Sequence, residues 1–450
     1  MQLIYFRLTR TLSLFIVGFI FMPVLQAAEQ PGQWVKQNMD ELLTFYSEFH
    51  ARPELSFQEQ ITAARLANSW LNCGFELTTG VGGYGIVGVL QNGVGSVVML
   101  RTDMDVLPVT EQTGLPFASE VLTENEDGRE TGVMHACGHD VHMTNLIGTA
   151  CYLASHRSLW QGTLMLVGQP AEEKGAGARA MLEDGLFKRF PKPDFAIALH
   201  VSPTLATGKI GIRSGFSMAN VDTVEITLYG KGGHGAYPHT ANDPIIQAAQ
   251  LVMELQTIVS REIDPVKPAV ITVGSLHAGS KSNVIGDTAE LKLTVRSFST
   301  DVREHLLAAI ERKALAVAIS NNALEPLIQI SKGTPSLYND PELSDRLSSV
   351  LKQHLGQDNV ELSAMSMGGE DFSRYGKAGI PSLMYWLGAV SQQRLDDYAD
   401  KGESPPSLHS SRFYPDIEAS LITGINTMVS AVLELLQPVE QKEGQGKPSE

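Results

Sequence analysis

Four short stretches constrain the fold of this chain most. Gly85-Ile-Val-Gly-Val-Leu-Gln91, Ser96-Val-Val-Met-Leu-Arg101, Thr163-Leu-Met-Leu-Val-Gly168 and Asp194-Phe-Ala-Ile-Ala-Leu-His200 are apolar at nearly every position. A strand with one wet face alternates apolar and polar residues, whereas an unbroken apolar run belongs to a strand covered on both faces. Helices must supply that cover. Helical spacing of apolar residues is present at Trp34–His50, Phe57–Cys73 (closed by Gly74), Asp140–His156 and Gly177–Leu186. Strands alternating with helices predict an α/β fold: a central mixed sheet with helices on both faces.

From about Ser217 the texture changes. Val221-Asp-Thr-Val-Glu-Ile-Thr-Leu-Tyr229 alternates with period two, as a strand with one solvated face should. A helix at Pro244–Glu262, strands at Ala269–Leu276 and Thr288–Phe298, a helix at Asp301–Ser320 and a strand at Pro326–Ile330 complete the order β-α-β-β-α-β. That order predicts a ferredoxin-like α+β satellite inserted into the α/β unit. The α/β texture then resumes, with a helix at Pro341–Leu355, a strand at Ser382–Leu387 and a helix at Ile417–Leu436. The expected division is a catalytic domain made of two segments, 28–215 and 333–438, with the satellite at 216–332 between them.

The two ends read differently from the body. Arg7 and Arg10 precede an uncharged apolar run that closes on Ala27-Ala28, the layout of a secretory leader, here 1–27. The expected location is therefore exported, periplasmic or secreted, with no stable membrane span after processing. Residues 439–450 hold no apolar side chain after Val439 and read as a disordered tail. Formal charge is −16 with no basic block in the body of the chain, which excludes a nucleic-acid partner. Gly82-Gly-Tyr-Gly85 has no helix pattern after it, so a dinucleotide site is excluded too. Three cysteines, Cys73, Cys137 and Cys151, are too few for a disulfide scaffold, although Cys73 and Cys151 leave room for one bridge.

Chemistry-bearing residues fall where the apolar strands end. Asp103-Met-Asp105 follows the second run, Glu172-Glu173 the third, and His200 closes the fourth. His135-Ala-Cys-Gly-His-Asp-Val-His142 precedes a helix, and His409 sits in a Pro/Ser-rich loop near the far end. Ligands of open α/β sheets gather in the crevice beyond the strand carboxyl ends. Thiolate and neutral imidazole are donors for zinc-like ions, and one of two neighbouring carboxylates could bind metal while the other moves a proton. Spacing alone does not say which of Glu172 and Glu173 does which.

Seven ordered motifs resemble the M20 metallopeptidases, in particular the aminoacylase, hippuricase and auxin-conjugate hydrolase branch. They are Phe49–Glu59, Asp103–Pro108, Met134–His142, Gln169–Glu173, Gly232–His239, Asn283–Ile285 and Met367–Phe372. The resemblance implies two divalent metal ions (zinc, or manganese, cobalt or nickel) on Cys137, His139, Glu173, His200 and His409, with Cys137 bridging. It implies Glu172 as general base, Asp105 as the residue that orients the site and His234 as the oxyanion stabiliser, reaching a cleft that is often the partner subunit's. Asn283 and Arg296 become candidates for the substrate carboxylate, and the Pro usual after Asn-Val-Ile is Gly286 here. Within the opening cluster, Asp140 is expected to cap the helix and His142 to stand behind the ligands or face substrate.

The expected activity is that of an exported amidohydrolase cleaving the amide of N-acyl-amino acids through a metal-activated water, with homodimerisation through the satellite. A carboxypeptidase or dipeptidase of the same fold would differ only in pocket shape. A cysteine hydrolase built on Cys137 would leave Glu172-Glu173 idle, and a non-catalytic metal-bound binding protein would have no use for Glu172.

Overall fold

The computed structural model describes residues 29–124 and 128–437. The expected leader at 1–27 and tail at 439–450 lie outside the described residues. Twelve strands matter here. In chain order they are β1 (Glu76–Val81), β2 (Gly85–Asn92), β3 (Val97–Asp103), β4 (Gly162–Gln169), β5 (Phe195–Ala206), β6 (Ile210–Ile212), β7 (Asn220–Tyr229), β8 (Ala269–Ala278), β9 (Thr288–Ser297), β10 (Leu327–Lys332), β11 (Val360–Leu362) and β12 (Ser382–Val390).

Eight of them form one mixed sheet in the order β1-β2-β4-β3-β5-β12-β6-β11. The strands at its centre, β4, β3, β5 and β12, run parallel, while β2 pairs antiparallel to β4 and β6 antiparallel to β12. The unbroken apolar runs are explained by two separate cores, one on each face. Val98, Leu100, Leu164, Leu166, Ile197 and Leu199 pack under the helices Met39–His50, Gln60–Asn72, His139–Ser155 and Ile417–Leu435. Their neighbours in sequence, Met99, Met165, Val167, Ala196 and Ala198, point the other way, onto Ala178, Met181 and Leu186. Alternate side chains of a strand face opposite ways, so each position finds an apolar partner.

The second sheet runs β8-β9-β7-β10, all antiparallel, with helices Pro244–Thr257 and Thr300–Ser320 packed on one side. Its four strands and two helices follow the β-α-β-β-α-β order of a ferredoxin-like fold, with a core of its own around Val224, Leu251, Leu291 and Leu306. Differences from the expected elements are local. The first helix breaks at Asn38 into Pro31–Gln37 and Met39–His50, and the Pro244 helix ends in a π turn at Ile258–Glu262. His200 does not close its strand: β5 continues to Ala206 because β12 stays alongside it, pairing Trp386 with His200 and Leu387 with Val201. The Cys73 and Cys151 sulfurs are bonded, joining the ends of helices Gln60–Asn72 and His139–Ser155, with Cα atoms 5.0 Å apart.

Candidate functional site

Parallel strands end on one side of the sheet, and there the predicted residues converge. Asp105 lies two residues past β3, Glu172 and Glu173 three and four past β4, and His200 inside β5 beside Trp386. Cys137 and His139 stand at the start of the helix His139–Ser155, whose preceding Gly138 adopts φ 79°, a left-handed conformation natural to glycine. His409 arrives from the far end of the chain. It too holds a left-handed backbone, φ 68°, pinned by its N–H donating to the Ala136 carbonyl at 2.9 Å.

Two sets of three donor atoms share the Cys137 sulfur. Cys137, His139 and His200 form one, Cys137, Glu173 and His409 the other, and within each set all ligand atoms lie within 4.8 Å of one another. The Cys137 Sγ to His200 Nε2 distance is 3.6 Å, and His409 Nε2 lies 3.5 Å from Glu173 Oε1. Both buried imidazoles have their other nitrogen fixed by a main-chain carbonyl. His139 Nδ1 donates to Asp105 O at 2.7 Å and His200 Nδ1 to Val201 O at 2.9 Å. Each Nε2 is thereby left as a lone-pair donor, the tautomer a metal ligand needs.

Burial and the crowded carboxylates tie these same donors to protons, which a divalent cation would release on binding. Burial, together with Glu173, Glu172 and Asp103, pushes the Cys137 thiol well above its ordinary range. Burial lifts Glu173 to about 7 in spite of His139. Burial opposes a charge on His139, yet Asp103, Glu173 and Asp105 raise it to about 9. Among the described residues, neither His139 Nε2 nor Glu173 Oε1 makes a hydrogen bond, although both atoms are buried. Buried polar atoms without partners are costly, and soft and borderline donors arranged around a shared thiol are resolved by divalent cations of the zinc type. The donor set fits such ions.

Behind the donors, Asp105 accepts the N–H groups of Glu172 and Glu173, each at 3.0 Å, and the Ser56 hydroxyl at 2.6 Å. Ala171, at φ 50°, turns the chain into this pair, and its N–H donates to Glu59 Oε1 at 2.8 Å. Glu172 is buried, and its carboxyl lies well above the usual range through burial first, then Glu370, Glu173 and Asp371.

Arg101 is the buried counter-ion of a network to which the sequence pattern assigned no role. It bonds Asp103 at 2.8 Å, Glu370 at 3.0 Å and Asp371 at 3.3 Å, while Gln169 Nε2 donates to Asp371 at 2.6 Å. A charged side chain ending an otherwise apolar, doubly covered strand was the available signal for Arg101, and Glu370-Asp371 lay inside a motif already singled out. Asp103 also carries His142.

Three expectations need correction or relocation. His142 does not face substrate: Nδ1 donates to Asp103 at 2.7 Å and Nε2 accepts the Val201 N–H at 3.0 Å, so both nitrogens are committed inside. Asp140 does not cap its helix. It lies inside the first turn, accepting the Val141 N–H and the imidazole of His50. His234 lies on a two-stranded ribbon of the second unit, Gly233–His234 against Val284–Ile285, and Asn283 in the turn just before it, both exposed.

Arg296, on β9, does line a cleft of about 540 Å³ together with Cys137, Glu172, Glu173, His200 and His409. His234 and Asn283 are not among the residues lining it. One guanidinium nitrogen of Arg296 is buried without a hydrogen-bond partner among the described residues.

Residues 99–433 match the model of peptidase family M20/M25/M40. The chain is 36% identical to an N-acetyldiaminopimelate deacetylase of Geobacillus sp. (strain WCH70), over 86% of this chain and 95% of that protein. It is 38% identical to a hippurate hydrolase of Campylobacter jejuni, over 74% of this chain and 86% of that one. Among solved structures, a putative aminohydrolase from methicillin-resistant Staphylococcus aureus superposes with a TM-score of 0.81 at 31% identity, covering 91% of this chain and 99% of its own. A Bacillus subtilis protein described as a dinuclear metal-binding peptidase of the M20 family gives 0.74 at 31% identity, covering 89% and 99%.

Proposed function

The chain belongs to peptidase family M20/M25/M40 and is a metal-dependent amidohydrolase of it, and on that premise we propose that it hydrolyses the amide bond of N-acyl-amino acids. One observation carries the reading: two three-donor sets share the Cys137 sulfur and open, with Glu172 and Arg296, onto one cleft.

Cys137, His139, Glu173, His200 and His409 would hold two divalent ions, Cys137 common to both. Such ions, when bound, polarise a scissile carbonyl and lower the pKa of water. The remaining work falls to side chains. Glu172, buried among carboxylates, accepts the proton of the attacking water on its carboxylate and delivers it to the departing amine. Burial and the neighbouring carboxylates raise its pKa, which makes it a stronger proton acceptor than an exposed glutamate. Asp105 holds Glu172 and Glu173 by their main chain, so the base and the ligand next to it keep one geometry. Arg296 reaches into the cleft with an unpaired nitrogen, suited to the α-carboxylate of the amino-acid half.

His234 and Asn283 act from the exposed ribbon and its adjoining turn on a second copy, His234 stabilising the oxyanion there and Asn283 binding the substrate carboxylate, which makes a homodimer through the second sheet a component of the proposal. Export belongs to it as well. The apolar leader is one support and the Cys73–Cys151 bond another, since disulfides persist in oxidising compartments.

The deciding experiment is a metal-titrated panel of acetyl-, benzoyl-, indoleacetyl- and long-acyl-amino acids, with simple dipeptides alongside. Release of amino acid that needs added metal and fails in Glu172→Gln supports the reading. Equal rates for both proteins, or cleavage confined to dipeptides, sinks it.

A further inference from the structure

The segment Phe49–Glu59 precedes the residues that match the family model, yet it touches three walls of the site. Ser56 holds Asp105 and Glu59 holds Ala171, as described above. His50 makes the longest reach. Its Nδ1 meets Asp140 Oδ2 at 2.7 Å and its Nε2 meets Glu111 Oε1 at 3.0 Å, with both carboxylates buried. Tyr46 and Phe117 rings close on it at 5.6 and 5.5 Å, so water does not screen the pair of contacts. Burial opposes a charge on His50, yet Asp140 and Glu111 lift it to about 9, and at neutral pH it is an imidazolium between two carboxylates.

The two partners lead to opposite ends of the donor set. Asp140 is the residue after His139. Glu111 precedes Gln112, whose N–H donates to the Ser411 carbonyl at 2.8 Å, two residues past His409. Glu111 is itself held by the Ser119 N–H at 2.7 Å. Since His409 N–H returns to Ala136, one residue before Cys137, the contacts close a ring: Asp140, His50, Glu111, Gln112, Ser411, His409, Ala136. Within that ring, His50 is the cation between the two carboxylates.

We propose that His50 is a positioning residue for the metal site, fixing the distance between the turn that carries Cys137 and His139 and the loop that carries His409. This rests on the reading of those residues as ligands. The left-handed backbone of His409 needs such support, because a non-glycine residue at φ 68° persists only where its surroundings impose it.

The test uses the purified protein and cobalt(II) alone, with the thiolate-to-cobalt absorption as readout. An Asn amide nitrogen sits near Nδ1 and a Gln amide nitrogen near Nε2. His50→Asn therefore keeps the Asp140 contact and loses Glu111, and His50→Gln does the reverse. Both variants are expected to bind cobalt about 10–100-fold more weakly than the unaltered chain, with kcat at saturating metal reduced and KM within about threefold. A residue that merely anchors the helix would be rescued in His50→Asn.

If either variant folds and binds cobalt with unaltered affinity and spectrum, the proposal is overturned. If both fail to fold, Glu111→Gln decides. It removes charge from the far arm only, and unaltered cobalt binding by that protein also overturns the proposal. Absence of the thiolate band in the unaltered chain would instead remove the ligand assignment itself, so the two failures are distinguishable.

Discussion

Asp105 Oδ1 accepts the main-chain N–H of Glu172 at 3.0 Å across a sequence separation of 67, and its second oxygen serves the next N–H along. One carboxylate therefore sets the position of both glutamates. Asp105→Asn replaces an accepting oxygen with an NH₂ that faces an N–H donor. The expected outcome is a kcat lower by roughly 10–100-fold with KM within about threefold. Steady-state kinetics on a single N-acyl-amino acid measures it, and an unchanged kcat would deny Asp105 this role.

Glu172 and Glu173 should separate cleanly on substitution. Glu172→Gln keeps shape and removes the proton acceptor, so kcat falls by about 10²–10⁴-fold while cobalt binding stays as it was. Glu173→Gln removes a donor and weakens metal binding instead. Titrating cobalt into both proteins distinguishes them; a Glu172→Gln protein that loses metal would reverse the two assignments.

How far the site was legible depended on how local each signal is. Unbroken apolar runs announced strands with two covered faces, because alternate positions such as Val98 and Met99 must each find a core. Cys137, His139, Glu172, Glu173 and His200 were readable because donors and carboxylates at strand ends have few structural uses. His50, Ser56, Glu59 and Arg101 were not assigned a role. Their partners lie tens to hundreds of residues away, as with Arg101 and Asp371 at a separation of 270, and no spacing rule encodes such a pair. For His142 the sequence left two places open, behind the donors or facing substrate, because a histidine beside such a cluster looks the same whether its nitrogens face solvent or a buried aspartate; the structure shows the first.

The disulfide makes a prediction about stability that leaves catalysis alone. Cys73 and Cys151 are 78 residues apart in sequence, and Cys151 lies near the end of its helix remote from His139. Opening the bond frees a long loop in the unfolded chain, worth about 3–5 kcal/mol. The double variant Cys73→Ala/Cys151→Ala should unfold at lower urea by that margin, with kcat within about twofold of the parent. Reductant should lower the parent to the variant's midpoint and leave the variant unmoved. A parent indifferent to reductant would mean the bond is not formed.

Arg296 carries the prediction about substrate. A charge-assisted hydrogen bond to a carboxylate contributes about 1.5–3 kcal/mol. Arg296→Met should therefore raise KM for N-acyl-amino acids by roughly 10–100-fold, and have little effect on the corresponding amino-acid amides, which lack the carboxylate. Equal losses on both substrate types would make Arg296 a structural strand residue, paired with nothing on the substrate.

The last prediction concerns pH and follows from His50. Its pKa in the fold is about 9 against an ordinary 6.5, so the folded state holds this proton more tightly than the unfolded chain does. The stabilisation is fully present below pH 6.5 and is lost as pH rises through 9. At about 1.4 kcal/mol per pH unit of displacement, the loss amounts to about 3 kcal/mol. Glu59 and Glu173, both raised to about 7, titrate inside the same window, so the parent's curve alone is ambiguous. His50→Gln removes the imidazole and keeps those carboxyls. The difference in urea stability between parent and variant should shrink by about 3 kcal/mol between pH 6 and pH 10. A gap that stays constant across that range would mean that His50 is held neutral, and that its two carboxylate neighbours share the proton instead.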